Sequence, residues 1–144
     1  MIVHVADFTP EEVLPFILSK SMKGQEKDRV YAGYRVAMGS LRYQVFAKSL
    51  ACEKCGIVGN VMRLQYNDSD KMRSPDRAHF NLYCVREGHE DVMMTKDHIV
   101  PSSLGGNDRL SNLRTYCGPC NWARGNGTFN HWGTTPRKKG FREE

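Results

Sequence analysis

Two cysteine pairs constrain the fold of this 144-residue chain more than any other feature of its sequence. Cys52 and Cys55 form one Cys-x-x-Cys pair, Cys117 and Cys120 form another, and 61 residues separate the two pairs. Each pair can bring two thiolates onto one side of a tight turn, and two such turns complete a tetrahedral four-thiolate zinc site. Because such a site has no open coordination position, we expect its zinc to be structural and to hold two distant segments together.

A thioredoxin-like redox site is the alternative interpretation of either cysteine pair. That chemistry needs the pair to follow a strand and open a helix within a βαβ unit, and it leaves the other pair without a function. The fifth cysteine, Cys84, lies in an apolar segment and is interpreted as a small buried side chain. The doubled spacing therefore favours structural zinc.

Length and composition narrow the class of protein further. The chain is long enough for one ordinary domain, and its 40% hydrophobic and 26% charged content is typical of globular proteins. No apolar stretch approaches the roughly 20 residues that span a bilayer, and the N-terminus has no secretory pattern. We therefore expect a cytoplasmic protein without membrane contact, in a reducing compartment where cysteines more often bind metals.

The net charge of +5 is concentrated near the C-terminus, where seven basic but only three acidic residues follow Pro101. This distribution indicates a polyanionic partner such as nucleic acid, although the charge alone is a weak signal. Three aromatic residues could stack on bases, but packing in the core is the expected use of most aromatic side chains. These three are Tyr116, Trp122 and Trp132.

The first fifty residues are predicted to be helical. Thr9 and Glu12 are typical of a capping box at the start of a helix over residues 10–20, which Pro15 would shorten or bend. A longer helix is predicted from about Glu26 to Ser49, because apolar residues recur there at helical spacing. This stripe consists of Val30, Tyr34, Met38, Leu41 and Val45.

The remainder of the chain is predicted to be mainly strands. A weakly alternating strand over 61–66 is followed by an exposed loop over 67–77. Strands over 80–86 and 91–99 flank a short glycine-containing turn and predict a hairpin. A last strand over 113–116 precedes a helix that is predicted to begin near Gly118 and to end at about 124–127.

The segment that carries chemistry begins at Asp97. The run DHIVPSSLGG (97–106) is followed by Asn112-Leu113, by CGPCN (117–121) and by Arg124-Gly125. Asp97 offers a hard carboxylate oxygen and Asn121 a neutral carboxamide oxygen, and this combination suits Mg²⁺ better than Zn²⁺. Neighbouring residues on a strand point to opposite faces, so Asp97 and His98 are expected to have different tasks.

In this order and spacing, these residues resemble the HNH (ββα-metal, His-Me finger) endonucleases, and closely those with a four-cysteine zinc site around the ββα unit. The similarity covers about residues 96–126, and the helix-then-CxxC lead-in LRYQVFAKSLACEKCG (41–56) resembles that of the same proteins. The expected fold is therefore α+β: a zinc-stapled ββα-metal core with N-terminal helices and an extra β-hairpin. The predicted division is an N-terminal helical region over 1–50, a nuclease core over 51–127 and a basic tail over 128–144.

The resemblance implies a role for each matching residue. Asp97 and Asn121 would hold the catalytic Mg²⁺ or Mn²⁺, and His98 would be the general base that activates water. Asn112 would hold the loop between the two strands and so orient His98, and Arg124 would lie near the scissile phosphate. The sequence departs from the family's name because Asn121 stands where many members have a second histidine, which favours hard metal ions.

The resemblance implies an intracellular endonuclease of phage, homing or restriction type. It would hydrolyse DNA and leave 5′-phosphate and 3′-hydroxyl ends, and the motifs leave open whether the DNA is duplex, branched or single-stranded. The alternative is a non-catalytic, zinc-stapled module that binds nucleic acid or another partner. Any substrate-reading surface is expected within residues 26–49 and 61–86.

Overall fold

The computed structural model describes residues 1–19 and 27–124 of the chain. In chain order the elements are β1 (Ile2–Phe8), α1 (Pro10–Val13), β2 (Asp28–Tyr31), β3 (Tyr34–Ala37), α2 (Leu41–Lys48), β4 (Val61–Asn67), β5 (His79–Cys84), β6 (Val92–His98), β7 (Leu113–Cys117) and α3 (Gly118–Arg124). Short 3-10 turns cover Leu14–Phe16, Asp68–Asp70, Ser102–Leu104 and Leu110–Asn112. The predicted α+β class is confirmed.

Five of the strands form one antiparallel sheet in the order β1-β4-β5-β6-β7. The N-terminal strand β1, which the sequence did not predict, pairs with β4 from Ile2 opposite Asn67 to Phe8 opposite Met62. The residues before α1 are therefore part of the same sheet as the predicted core. The division of the chain into three parts stays a prediction.

The first helix begins as expected and ends early. Thr9 accepts the Glu12 backbone N–H, and the Glu12 carboxylate accepts the Thr9 backbone N–H at 2.8 Å, so the predicted capping box is confirmed. Helix α1 nevertheless ends at Val13 and continues only as a 3-10 turn. The reason is Pro15, which has no N–H to donate to the carbonyl four residues earlier.

The predicted long helix over residues 26–49 is wrong for most of its length. Residues 28–37 form the β2–β3 hairpin, and only Leu41–Lys48 are helical. The hairpin turns at Ala32 and Gly33, whose φ angles of 50° and 84° match a two-residue type I′ turn. Tertiary packing overrides the helical spacing: Val30, on the predicted apolar stripe, is 63% exposed. Residues 20–26 lie outside the described part.

An aromatic cluster joins the hairpin and α2 to the sheet. The Phe80 ring centroid lies 5.0 Å from that of Tyr31, 5.7 Å from Phe8 and 6.2 Å from Tyr43, all in edge-to-face geometry. The Tyr43 hydroxyl also accepts the Phe80 backbone N–H at 2.7 Å. Such aromatic pairs stabilise a core beyond the area that they bury. The β2–β3 hairpin, β1 and α2 therefore share one core with β5.

The predicted β5–β6 hairpin is confirmed, but its strands pair only near the turn, at Tyr83 with Met93 and at Cys84 with Val92. Nearer the start of β5, the Arg42 guanidinium of α2 donates a hydrogen bond to the Phe80 carbonyl at 2.8 Å. Helix α2 also contacts β6 and β7. The end of β6 is thereby separated from β5 and pairs only with β7.

Among the described residues, no helix is both long and apolar enough to cross a membrane.

Cys84 is buried, as predicted, at 3% exposure. Its side chain belongs to the hydrophobic core. It is not one of the four cysteines whose sulfur atoms lie close to one another.

Candidate active site and metal centre

The four paired cysteines come together although 61 residues separate the pairs. The Sγ atoms of Cys52, Cys55, Cys117 and Cys120 all lie within 4.8 Å of one another. The Cys55 and Cys117 sulfurs are 3.7 Å apart, close to the ~3.8 Å sulfur–sulfur edge of a tetrahedron with ~2.3 Å zinc–sulfur bonds. The cluster can therefore hold a metal ion, and its donor set fits tetrahedral zinc.

Backbone hydrogen bonds shape the two cysteine turns. In the first turn the Cys52 N–H donates to the Ile57 carbonyl and the Gly56 N–H donates to the Cys52 carbonyl, at 2.8 and 2.9 Å. In the second, the Cys120 N–H points at the Cys117 sulfur, 3.4 Å away. N–H groups aimed at a sulfur favour its thiolate form. The chain thus prepares the cysteines for metal binding.

The thiol pKa values depend on burial and on these N–H groups. Burial raises the pKa of the Cys52 thiol, but N–H groups of Cys55, Cys117 and Lys54 outweigh burial and lower it to about 7. Burial raises the pKa of Cys117 and Cys120 above the usual range. Thiols whose pKa is raised in this way ionise more readily beside a compensating cation, which is what a bound divalent metal supplies.

The four-cysteine cluster connects two segments of the chain that hydrogen bonds also join. The Glu53 N–H donates to the Thr115 carbonyl at 3.0 Å, and the Thr115 hydroxyl donates to the Ser49 carbonyl at 2.6 Å. Lys48 at the end of α2 donates to the carbonyls of Leu110 and Leu113. The segment after α2 is therefore fastened to β7, the strand that pairs with the end of β6.

Strands β6 and β7 and helix α3 form a ββα unit. On β6, Thr95 and Asp97 are two residues apart and share the face toward α3. The Asn121 carboxamide of α3 donates to the Thr95 hydroxyl at 2.9 Å, and Arg124, one turn later, donates to Asp97 at 2.9 Å. Asn121 is 6% and Asp97 5% exposed. The structure thus brings the two predicted metal ligands to one buried β6–α3 interface.

Two guanidinium groups neutralise the Asp97 carboxylate. Arg124 bonds its Oδ1, and Arg114, opposite Asp97 in the β6–β7 register, bonds its Oδ2 at 3.0 Å. The Arg114 guanidinium also lies 4.3 Å from the centre of the Tyr116 ring. Each carboxylate oxygen keeps a second lone pair. Together with the Asn121 oxygen, these hard donors fit Mg²⁺ or Mn²⁺.

His98 contacts the loop that joins β6 to β7. It is the last residue of β6, and its Nε2 lies 2.7 Å from Oδ1 of Asp108 in the loop that joins β6 to β7. A carboxylate can only accept a hydrogen bond, so the proton of this contact belongs to the ring. The His98 side chain is 28% exposed. Asp97 and His98 therefore have different surroundings, as their alternation on the strand predicts.

Asn112 holds the β6–β7 loop at both ends. Its side chain accepts the Val100 N–H at 2.9 Å and donates to the carbonyls of Val100 and Asn107, at 3.1 and 2.8 Å. Its own carbonyl accepts the N–H of Ile99. The loop also needs Gly106, because a Cβ there would lie 1.7 Å from the Val100 carbonyl oxygen. These contacts are what the predicted loop-holding role of Asn112 requires.

Three neighbours of the site were not predicted. Thr95, Arg114 and Asp108 hold Asn121, Asp97 and His98, respectively. Pairing β6 with β7 would have placed Arg114 opposite Asp97, but nothing in the sequence singles out Asp108. A fourth difference concerns Trp122, which was expected to pack in the core and is 45% exposed on α3, whereas Tyr116 is buried as expected. Trp132 lies outside the described residues.

Comparison with known proteins supports the resemblance inferred from the motifs. Residues 82–131 match the family model described as HNH endonuclease, which is 50 of the 144 residues. No curated protein and no solved structure gives a significant match to the chain. The matched segment contains β6, β7 and α3, so the ββα unit is the part of the chain that is similar to HNH endonucleases. This similarity indicates a nuclease-type function.

Proposed function

We propose that this protein is a metal-dependent HNH endonuclease that hydrolyses DNA phosphodiester bonds. The observation that carries the proposal is the ββα unit itself: Asp97 and Asn121 lie buried at one interface, with His98 at the end of the same strand. A protein that only binds nucleic acid has no need of all three. Zinc in the four-cysteine site would hold this unit to the segment that follows α2.

Each residue has a proposed task. His98 takes a proton from the attacking water, as histidine side chains commonly do at neutral pH. Asp97 and Asn121 hold a Mg²⁺ or Mn²⁺ ion, which when bound stabilises charge on the phosphate and on the departing 3′ oxygen. Asn112 keeps the loop in place, and Arg124, released from Asp97, would bind a substrate phosphate. The products carry 5′-phosphate and 3′-hydroxyl ends.

The two guanidiniums on Asp97 are the observation that favours the alternative, a non-catalytic module that binds nucleic acid. An aspartate held by Arg114 and Arg124 forms a stable structural ion pair without any metal. Cleavage and binding must therefore be measured separately. Metal dependence separates the two functions, because a binding module needs no divalent ion other than its zinc.

The direct test incubates supercoiled plasmid with the zinc-loaded protein, with and without added Mg²⁺ or Mn²⁺. We expect nicking or linearisation that needs the added metal and that excess EDTA abolishes. Branched, single-stranded and RNA substrates of matched length would define the preferred substrate. Binding to these nucleic acids without cleavage of any of them would contradict the proposal and favour the binding module.

We propose that a cavity in the β4–β5 loop makes an additional contact with the nucleic-acid backbone. It has a volume of about 350 Å³, and Lys71, Arg73 and Arg77 contribute to its lining. Arg77 is paired with Asp28, at 2.8 Å, whereas neither Lys71 nor Arg73 forms an ion pair with another described residue. The loop falls within the region predicted to read the substrate, and its unpaired cations suit phosphate.

Replacing Lys71 and Arg73 together by alanine is expected to raise KM for DNA and to leave kcat almost unchanged. Each contact between a cation and a phosphate releases counterions when DNA binds. Losing a contact should therefore make the dependence of the log binding constant on log salt concentration shallower by about 1 per contact. Arg86→Ala, at the opposite end of β5, is the matched control. An unchanged salt dependence in the double variant would contradict the assignment.

A further inference from the structure

We propose that Asp108 is a positioning residue that fixes the His98 ring so that Nδ1 acts as the general base. This inference deepens the proposed function and rests on it. The Asp108 Oδ1 lies 2.7 Å from the His98 Nε2. Since a carboxylate only accepts, Nε2 carries the hydrogen, and the other nitrogen of the neutral ring, Nδ1, keeps its lone pair. No hydrogen bond from Nδ1 to another described residue is formed.

The loop holds Asp108 in place through the residues on either side of it. The Asn112 side chain donates to the Asn107 carbonyl at 2.8 Å, and the Asn112 N–H donates to the Arg109 carbonyl at 2.8 Å. The Asn107 side chain in turn accepts the Arg109 N–H at 2.9 Å. Asn112 therefore acts on His98 through the backbone on both sides of Asp108. By holding the backbone on both sides of Asp108, Asn112 also helps to fix the orientation of the His98 ring.

Burial indicates that the pair orients the ring rather than stabilises the fold. The Asp108 side chain is 77% exposed and that of His98 is 28% exposed. Ion pairs this open to solvent contribute little to stability, because water screens them and two side chains lose freedom. A base held by a carboxylate on one nitrogen, with the other nitrogen available to water, is a recurring arrangement for activating a nucleophile.

The proposed step is balanced in atoms and charge. The water oxygen forms a bond to phosphorus while the bond between phosphorus and the 3′ oxygen breaks, and the electron pair of the broken bond stays on the 3′ oxygen. The proton of the water moves to Nδ1, and Nε2 keeps its hydrogen. The Asp108 carboxylate faces the imidazolium that forms and stabilises its positive charge. Solvent supplies the proton that completes the 3′-hydroxyl.

The first test is a double-mutant cycle on the cleavage reaction. Asp108→Ala should lower kcat about 10- to 100-fold with KM within about twofold, by analogy with the loss of a residue that orients a metal-ligating histidine. Asp108→Asn, whose amide oxygen still accepts from Nε2, should recover most of that loss. In the His98→Ala background, with imidazole supplied to restore a measurable rate, Asp108→Ala should cause no further loss. Glu90→Ala, an exposed glutamate in the connection between β5 and β6, is the matched control.

Equal losses from Asp108→Ala in both backgrounds would overturn the inference, because they would show that Asp108 acts independently of His98. A second measurement does not depend on cleavage. Long-range ¹H–¹⁵N spectra of the neutral ring should show only the Nε2–H tautomer in the wild-type protein and a mixture in Asp108→Ala. An Nδ1–H tautomer in the wild type, or identical spectra, would also overturn it. If the wild type cleaves nothing, the proposed function fails. The tautomer measurement still tests whether Asp108 fixes the orientation of the His98 ring.

Discussion

Replacing His98 by alanine is expected to abolish most of the metal-dependent cleavage, with a fall in kcat of about 10²- to 10⁴-fold, the usual contribution of a general base. The physical reason is that water at neutral pH is a weak nucleophile, and His98 is the residue placed to take its proton. Plasmid nicking under single-turnover conditions measures the effect. DNA binding should change little, because the proposed role of His98 lies in the chemical step.

His89→Ala is the matched control for this experiment. His89 is an exposed histidine in the β5–β6 turn, so its loss should change neither cleavage nor stability. Zinc content and thermal unfolding should be measured for both variants. Cleavage by His98→Ala at the wild-type rate would show that His98 is not the base, and with it the proposed mechanism would fail.

Replacing Cys117 by serine is expected to eliminate zinc binding and to unfold the region between Ser49 and α3. Structural zinc contributes about 10–16 kcal/mol of apparent binding free energy in small domains, whereas whole domains are stable by only about 5–15 kcal/mol. Cys117 is 2% exposed and is the last residue of β7, immediately before α3, so this change affects the site itself. Zinc stoichiometry and thermal unfolding measure the effect, and a strong chelator should reproduce it.

Cys84→Ala separates loss of zinc from loss of core packing. Cys84 is equally buried, at 3% exposure, but lies outside the four-cysteine cluster. This variant should keep one zinc ion per chain and lose only some thermal stability. If Cys117→Ser also kept one zinc ion per chain, a four-thiolate zinc site would be contradicted, and the redox interpretation of the cysteine pairs would have to be considered again.

The sequence was most informative about the ββα unit and least informative about the first fifty residues. Strands β6 and β7 and helix α3 were predicted nearly to the residue, because strand alternation, a glycine-containing turn and a cysteine turn that opens a helix are local signals. The helix over 26–49 was wrong because Val30, Tyr34 and Met38 have helical spacing by coincidence. The hairpin that contains the first two packs on the sheet through Tyr31, whose ring lies 5.0 Å from that of Phe80 on a strand about fifty residues later.

The site shows the same division between local and long-range information. The spacing of the cysteines, the Asp97-His98 pair and Asn121 were sufficient to predict two metal sites and the class of chemistry, because ligand type and order along the chain are written in the sequence. The sequence did not predict which other residues contact them. The guanidinium of Arg114 reaches Asp97 only through the β6–β7 register, and Asp108 reaches His98 only because Asn112 folds the loop back.

The sequence by itself therefore determined which atoms can bind metal and accept a proton, since these are properties of side chains and of short spacings. Only the tertiary structure decided which of them meet, which nitrogen of His98 is engaged, and that Asp97 is held by two arginines. These outcomes depend on strand register, on a loop closed by one asparagine, and on α3 packing against β6. Each of these is a long-range arrangement, whose free energy comes from groups that are distant in the chain.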